Sequence, residues 1–317
     1  MGDSIIFSLN TTIPLFLMIV LGFFLKKIHI LDDGFLKAAN KFNFKLTLPV
    51  LLFVDMSSID FRETFDLKFL LFCAAATSIA FWGVWGLAKL FIKDKKVIGE
   101  FVQASYRSSA AVMGLALISN IYGSTGMSGM MMLGAVPLYN IYAVIVLQSE
   151  SEQMKEAGNE RLKKALKGIV TNPIIIAILL GFLVSFLGIN DFPKILDTGL
   201  NYVSRMATPL ALICIGAEFD FKNAFSKIRH SAWAAVIKII ILPLIFIPIA
   251  ILMGFRGEKL IAIFVMLAAP TTPSAFIMAK QYGYDGIVTS STIVLTEVFS
   301  AVTLTLIVFV LKNWNFI

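Results

Sequence analysis

The sequence AAPTTPSAF, residues 268–276, interrupts an apolar run and decides how the chain around it folds. Its two prolines, Pro270 and Pro273, are three residues apart, and each removes a backbone amide donor and clashes with the preceding helical turn. A helix that enters this stretch must therefore break or kink. The break leaves carbonyl groups without partners on one side and amide groups on the other, and the partly positive amide end suits an anion.

A second interruption lies about 160 residues earlier, in the sequence YRSSAAVMGLA at residues 106–116, where Arg107 and small polar residues enter an apolar run. Other pairs of short motifs match at nearly the same offset. They are Pro14 and Gly22 with Pro173 and Gly181, Thr47-Leu48-Pro49 with Ala207-Thr208-Pro209, Asp60-Phe61 with Asp220-Phe221, and Tyr122-Gly123 with Tyr282-Gly283. Several matches in one register predict an internal repeat, with residues 1–147 and 168–317 as its two halves.

The composition indicates that this repeat lies in a membrane. Of the 317 residues, 58% are hydrophobic and only 15% are charged, and the mean hydropathy is +0.86. The exterior of a soluble domain needs more polar residues than this, whereas a spanning helix needs about 20 mostly apolar residues. We therefore expect an all-α membrane protein with ten spans, at residues 5–25, 34–56, 67–91, 101–122, 128–147, 168–188, 194–216, 231–253, 259–281 and 287–311.

The loop charges predict the orientation of these spans. Lysine and arginine gather in the first, third, fifth and seventh loops and are scarce in the others, and the positive-inside rule places the basic side in the cytoplasm. Residues 148–167 then form a cytoplasmic linker, and both termini of this multi-pass cell-membrane protein lie outside the cytoplasm. Five spans per half is an odd number, so the halves are expected to be inverted, as in many secondary transporters.

The two interrupted spans, the fourth and the ninth, are predicted to form the binding site, because such sites lie where matching spans of the two halves are broken. Helix ends and a buried arginine favour an anion. The candidate substrate-binding residues are Arg107, Ser108, Ser109, Gly114, Asn140, Pro270, Thr271, Thr272, Pro273 and Ser274. The alternative interpretation is that these small residues merely permit close helix packing.

Charged residues inside the other spans are the remaining candidates, since a charge at mid-bilayer is costly and is usually paired or functional. Lys238 and Glu297 are expected to form a buried ion pair, and Glu297 is the candidate for proton coupling, with simple uniport equally open. Lys45 and Arg205 each precede a matched proline by four residues and are candidate buried charges. For Lys45 the alternative is snorkelling to the interface.

Several classes of protein are disfavoured by the sequence. The basic residues form no nucleic-acid-binding domain, and the chain has no HExxH or GxSxG motif and no two in-span carboxylates on one helix face, so we expect no enzyme. No cofactor or metal is expected. A membrane sensor with a carrier-like fold, a channel, and a carrier of a non-anionic solute stay open as alternatives to an anion carrier.

The motifs LPVLLF at residues 48–53, YRSSAAVMGLAL at 106–117 and APTTPSAFIMAKQYGYD at 269–285 resemble those of the auxin efflux carrier family, and the resemblance covers nearly the whole chain. The sequence departs from the family pattern at Ser108 and Ala116, where asparagine and proline are usual. The resemblance implies a sodium/proton-antiporter-like fold in which broken helices 4 and 9 cross, spans 1, 2, 6 and 7 form a scaffold, and the other six spans move as a transport bundle in an elevator mechanism.

The resemblance also implies a substrate and partners. Members of the family are associated with small carboxylates such as malate or malonate and with auxin-like acids such as indole-acetate. The expected partners are therefore a small organic anion and the lipid bilayer, with a homodimer through the scaffold helices as the candidate assembly and no nucleic acid.

Overall fold

The computed structural model describes residues 2–59, 65–110, 118, 122, 126–151, 166–189 and 192–317, with side chains from residue 13 onward except those of 126, 221 and 301. The regular structure of these residues is helical. The helices are α1 Gly2–Lys27, α2 Asp33–Phe42, α3 Leu48–Ser57, α4 Leu67–Phe91, α5 Ile98–Tyr106, α6 Gly126–Glu150, α7 Pro173–Leu187, α8 Lys194–Ala217, α9 Phe221–Val236, α10 Leu242–Leu252, α11 Gly257–Ala268, α12 Pro273–Gln281 and α13 Ile287–Asn313.

The helix boundaries follow from local capping chemistry. Asp32, Asp66, Asn172 and Asp220 each precede a helix and accept a hydrogen bond from an amide of its first turn, which satisfies a donor that has no partner within the helix. Gly188 ends α7 in the left-handed conformation, at φ 71°, where a residue without a Cβ is favoured.

Two π-helical turns are each caused by the proline that follows them. The segments Asn43–Thr47 and Ile237–Ile241 each lie directly before a Leu-Pro pair, at the starts of α3 and α10. A proline cannot donate to the carbonyl four residues earlier and its ring clashes with that carbonyl. A wider turn accommodates the ring without ending the helix, so α2 with α3, and α9 with α10, continue as longer units.

Close packing at glycines holds the crossing of α1 and α8. A Cβ added at Gly22 would meet the carbonyl oxygen of Ile213, and one added at Gly216 would meet that of Ile19. Because each glycine sits against the backbone of the other helix, the two axes approach more closely than larger residues allow. Gly181 in α7 plays the same part against α3, where an added Cβ would lie 2.6 Å from the carbonyl oxygen of Phe53.

The surface has the apolar character expected of a membrane protein. Large hydrophobic side chains such as Leu90, Phe91, Ile195 and Leu252 are at least three-quarters exposed, which a soluble monomer rarely tolerates over extended areas. Four described helices are long and apolar enough to cross a bilayer, at Leu67–Phe91, Met127–Glu150, Lys194–Ala217 and Lys222–Leu252.

Two bent pairs raise the number of candidate spans among the described residues to six. They are Gly257–Ala268 with Pro273–Gln281, and Ile287–Ser300 with Val302–Asn313. These six correspond to the predicted third, fifth, seventh, eighth, ninth and tenth spans. The full count of ten stays a prediction, because α7 has 15 residues and residues 111–117 and 119–121 of the predicted fourth span lie outside the described residues.

Candidate functional site

Two breaks in the helices meet near the centre of the fold. Helix α5 ends at Tyr106, and Arg107 is extended. Helix α11 ends at Ala268, the chain is extended at Ala269 and Thr272, and α12 starts at Pro273, with a 41° bend between the two helices. The amide of Ser109 donates to the carbonyl of Pro270 at 2.8 Å. The predicted break of the ninth span is therefore confirmed, and it lies against the chain that follows the end of α5.

The carbonyl groups released at the end of α11 are capped by side chains from elsewhere. Lys238 donates to the carbonyl of Leu267 at 2.5 Å, and the Tyr139 hydroxyl donates to that of Met266 at 2.9 Å. Ser108 donates to the carbonyls of Val265 and Ala269, at 3.1 and 3.2 Å. A buried ammonium at this position complements the negative end of the helix.

This arrangement corrects the expected ion pair between Lys238 and Glu297. The ammonium of Lys238 is held by backbone carbonyls of the α11 end, while both carboxylate oxygens of Glu297 are buried without a hydrogen-bond partner among the described residues. The physical reason is the break itself, since it supplies carbonyl acceptors that an intact helix would have used. Both residues are buried, as the sequence predicted.

Arg107 is the central side chain of the site. It is 1% exposed, and its guanidinium donates to four neutral acceptors: Gln103 Oε1 at 3.3 Å, Met278 Sδ at 3.1 Å, Asn140 Oδ1 at 3.1 Å and Ser274 Oγ at 3.0 Å. Its Nε has no partner among the described residues. The positive charge is thus oriented by dipoles and is not neutralised by any described carboxylate at ion-pair distance.

A cavity of about 60 Å³ opens beside Arg107. Its polar lining comes from both breaks and from three further helices: Ser108, Ser109, Thr272 and Ser274, with Asn140 and Tyr139 of α6, Thr208 of α8 and Asp55 of α3. Apolar walls come from Leu48, Leu51, Leu52, Val136 and Ala211. A volume of this kind has room for a few water molecules.

The structure brings together most of the predicted substrate-binding residues. Arg107, Ser108, Ser109, Asn140, Thr272, Pro273 and Ser274 line the cavity. Thr271 instead joins the two breaks to their surroundings, because its hydroxyl donates to the carbonyl of Ala104 at 2.7 Å and its amide donates to Thr296. Pro270 contributes its carbonyl to Ser109. Gly114 lies outside the described residues.

The prediction that Lys45 and Arg205 are buried charges is wrong. Both side chains are exposed, because the residues four positions before Pro49 and Pro209 point away from the packed faces of their helices. For Lys45 the snorkelling alternative fits this exposure.

Sequence reasoning missed two carboxylates. Asp55 lies in the apolar run LLFVDM and lines the cavity, and the rarity of charges inside spans was the signal that could have found it. Glu100 is buried and accepts hydrogen bonds from the amides of Gly286 and Thr289, at 3.1 and 3.0 Å, and from the Thr289 hydroxyl at 2.9 Å. It caps the first turn of α13 from a distant part of the chain.

Comparison with known proteins gives the family. A family model described as membrane transport protein matches residues 7–308, nearly the entire chain. The chain belongs to this membrane transport protein family. The resemblance to auxin efflux carriers is thereby confirmed, and the protein is a multi-pass membrane transporter.

Two relatives illustrate the range of the family. An "Uncharacterized transporter" of Methanothermobacter thermautotrophicus is 22% identical over 304 residues, covering 94% of this chain and 97% of the relative. A "Putative malonate transporter" of Rhizobium meliloti is 22% identical over 318 residues, covering 95% of each chain. Both alignments run through the two breaks and the cavity.

Proposed function

We propose that this protein is a secondary carrier that moves a small organic anion across the cell membrane by alternating access. The observation that carries the proposal is the buried guanidinium of Arg107, which faces a cavity and has only neutral partners among the described residues. A buried cation without a counter-ion is costly. A carboxylate that enters the cavity supplies the missing negative charge.

The start of α12 adds to the attraction. Pro273 and Ser274, which line the cavity, are the first residues of this helix, and the first amides of a helix carry partial positive charge. Ser274 also accepts a hydrogen bond from Arg107 at 3.0 Å. The two positive sources therefore act on the same region, and they favour a carboxylate over a neutral or cationic solute.

The carboxylate class is further supported by the relative whose name includes malonate. The unneutralised guanidinium sets the charge of the substrate, whereas the apolar walls set the size of the rest of the molecule. We propose small mono- and dicarboxylates as the substrate class.

Alternating access is supported by the repeated order of helices. Helix α4, Leu67–Phe91, recurs about 160 residues later as the unit Lys222–Leu252, and α6 recurs as α13.

We propose two inverted five-helix halves, with a scaffold of α1, α2–α3, α7 and α8 and a transport bundle that contains both breaks and moves as an elevator. The glycine contacts of α1 with α8 and of α3 with α7 fit a rigid scaffold. The proposal includes both termini outside the cytoplasm, as the loop charges predict.

The test is uptake of labelled malonate, malate and indole-acetate into proteoliposomes, with the membrane potential clamped at two values and unlabelled competitors present. We expect saturable uptake of a carboxylate and exchange against its unlabelled form. Flux that neither saturates nor exchanges would indicate a channel. Absence of uptake of every anion by folded protein would refute the proposal and favour a ligand sensor or a carrier of a non-anionic solute.

A further inference from the structure

Asp55 is the acidic side chain in the described lining of the cavity. It lies in α3, Leu48–Ser57, and shares the cavity with Arg107. Its Oδ2 is buried and has no hydrogen-bond partner among the described residues, and no described lysine, arginine or histidine lies at ion-pair distance from it. An apolar span thus carries a carboxylate that has no ion-pair partner among the described residues.

An anionic substrate makes this imbalance worse. Two carboxylates in one enclosed site disfavour each other's ionised forms, and the usual result is that one of them takes up a proton. A protonated Asp55 also offers an O–H donor to the substrate, whereas an ionised Asp55 repels it. Binding of an anion beside Arg107 and protonation of Asp55 are therefore expected to favour each other.

We propose that Asp55 binds the proton that accompanies the anion, so that the carrier moves proton and carboxylate together. This inference rests on the proposed function. In the loading step a proton leaves water on one side of the membrane and forms an O–H bond with the Asp55 carboxylate. In the release step that bond breaks and the proton enters water on the other side, so no other bond changes. A monocarboxylate then moves without net charge, and a dianion moves one negative charge.

Among the ionisable side chains near the cavity, Asp55 is the one expected to gain or lose a proton. Arg107 and Tyr139 are the other ionisable side chains of the described lining, and both are protonated at neutral pH. Helix α7, which packs against α3, has no ionisable residue, and α8 presents Thr208 and Ala211 to the cavity. The remaining ionisable groups on the neighbouring elements do not line the cavity. They are Lys45 before α3, then Lys194, Asp197, Tyr202, Arg205 and the buried thiol of Cys214 on α8, and Tyr142 and Glu150 on α6. Glu297, the candidate from the sequence, does not line the cavity.

The test compares pH-driven accumulation with exchange, using the carboxylate of the uptake panel that exchanges. Proteoliposomes are held at zero membrane potential, and a pH gradient is imposed with the interior alkaline. Wild-type protein is expected to accumulate the labelled anion above equilibrium. Asp55→Asn is expected to lose this accumulation, and its exchange is expected to become independent of pH across about pH 5 to 8. Asp55→Glu is expected to restore the response, and Glu297→Gln is expected to keep it.

A second measurement does not depend on transport by a variant. Addition of the anion to weakly buffered wild-type protein in detergent is expected to raise the pH, because one proton is taken up for each anion bound, and Asp55→Asn is expected to lose this uptake. The inference is overturned if Asp55→Asn still accumulates anion or takes up protons, if Glu297→Gln alone abolishes coupling, or if wild-type protein exchanges anion without any response to pH. The last result leaves the proposed carrier function intact, whereas absence of exchange in wild-type protein refutes that function itself.

Discussion

Replacement of Arg107 by methionine tests the proposed anion site most directly, because methionine has similar length and no charge. A carboxylate about 4 Å from the guanidinium gains about 4 kcal/mol at the effective dielectric constant of partly buried sites, and a hydrogen bond to a charged group contributes about 1.5–3 kcal/mol. The two figures describe largely the same interaction and are therefore not added together. We therefore expect Arg107→Met to lose about 3–4 kcal/mol of binding, or roughly 10²–10³-fold in affinity.

The assay is displacement of labelled malonate from purified protein, followed by the same series in proteoliposome exchange. Arg107→Lys keeps the charge but not the planar fork of donors, so we expect a loss of about tenfold, between wild type and Arg107→Met. The matched control is Arg205→Met, since Arg205 is exposed and does not line the cavity, and its affinity is expected to stay within about twofold of wild type.

The same series also separates binding from folding. Loss of the guanidinium leaves Gln103, Asn140 and Ser274 without the donor that they now accept from, so each variant is first checked for a single symmetric gel-filtration peak. Unchanged affinity of folded Arg107→Met for every tested carboxylate would refute the assignment of the buried guanidinium as the anion site.

Three further predictions concern the fold and its orientation. Gly216→Ala is expected to lower the apparent Tm, because overpacking against a backbone carbonyl costs about 1–3 kcal/mol. Gly199 on the same helix has open space around it, so Gly199→Ala is expected to leave the apparent Tm equal or higher. Equal effects of the two substitutions on Tm would contradict close packing where α1 crosses α8. The hydrogen bond from Lys259 lowers the pKa of Asp66. The Asp66 carboxylate therefore stabilises the fold at a pH above the pKa that it has in the unfolded chain, and this contribution is lost as the pH falls through its lower pKa in the folded protein. Asp66→Asn is therefore expected to cost roughly 0.2–1 kcal/mol at pH 7, and a difference in apparent Tm that does not shrink in acid would count against the ion pair. The two native cysteines are buried, so a membrane-impermeant maleimide is expected to react only with an introduced cysteine. It is expected to label Asn315→Cys in intact cells and Lys95→Cys only after permeabilisation. The reverse result would invert the proposed topology.

The breaks were predictable from the sequence because their cause is local. Pro270 and Pro273 remove amide donors wherever the helix lies, and α11 does end at Ala268 before α12 begins at Pro273. The match at an offset of about 160 residues then pointed to Arg107, which the structure places beside the second break. The π-helical turns before Pro49 and Pro243 have an equally local cause, the proline ring within a continuing helix.

The partners of the buried charges were not predictable in this way. Lys238 and Glu297 are complementary charges in the eighth and tenth predicted spans. Lys238 nevertheless binds the carbonyl of Leu267, because the break of α11 brings free carbonyl groups within hydrogen-bond distance of it. Lys45 and Arg205 occupy the same position relative to their prolines, but this match does not make either of them buried. Their exposure depends on how each helix is rotated about its axis. Asp55 becomes a candidate only because it lines the same cavity as Arg107.

The sequence by itself determined that the chain is an apolar helical membrane protein. It also determined where the ninth predicted span breaks and that a cation accompanies the matching interruption. These features follow from composition and from proline chemistry, which acts within one or two helical turns. Tertiary structure decided which groups meet in the cavity. Arg107 and Ser274 are 167 residues apart and form a hydrogen bond, and Asp55 joins them from a third helix. Such contacts depend on the rotation and depth of each helix, which close packing of whole helix faces fixes and which no short stretch of sequence encodes.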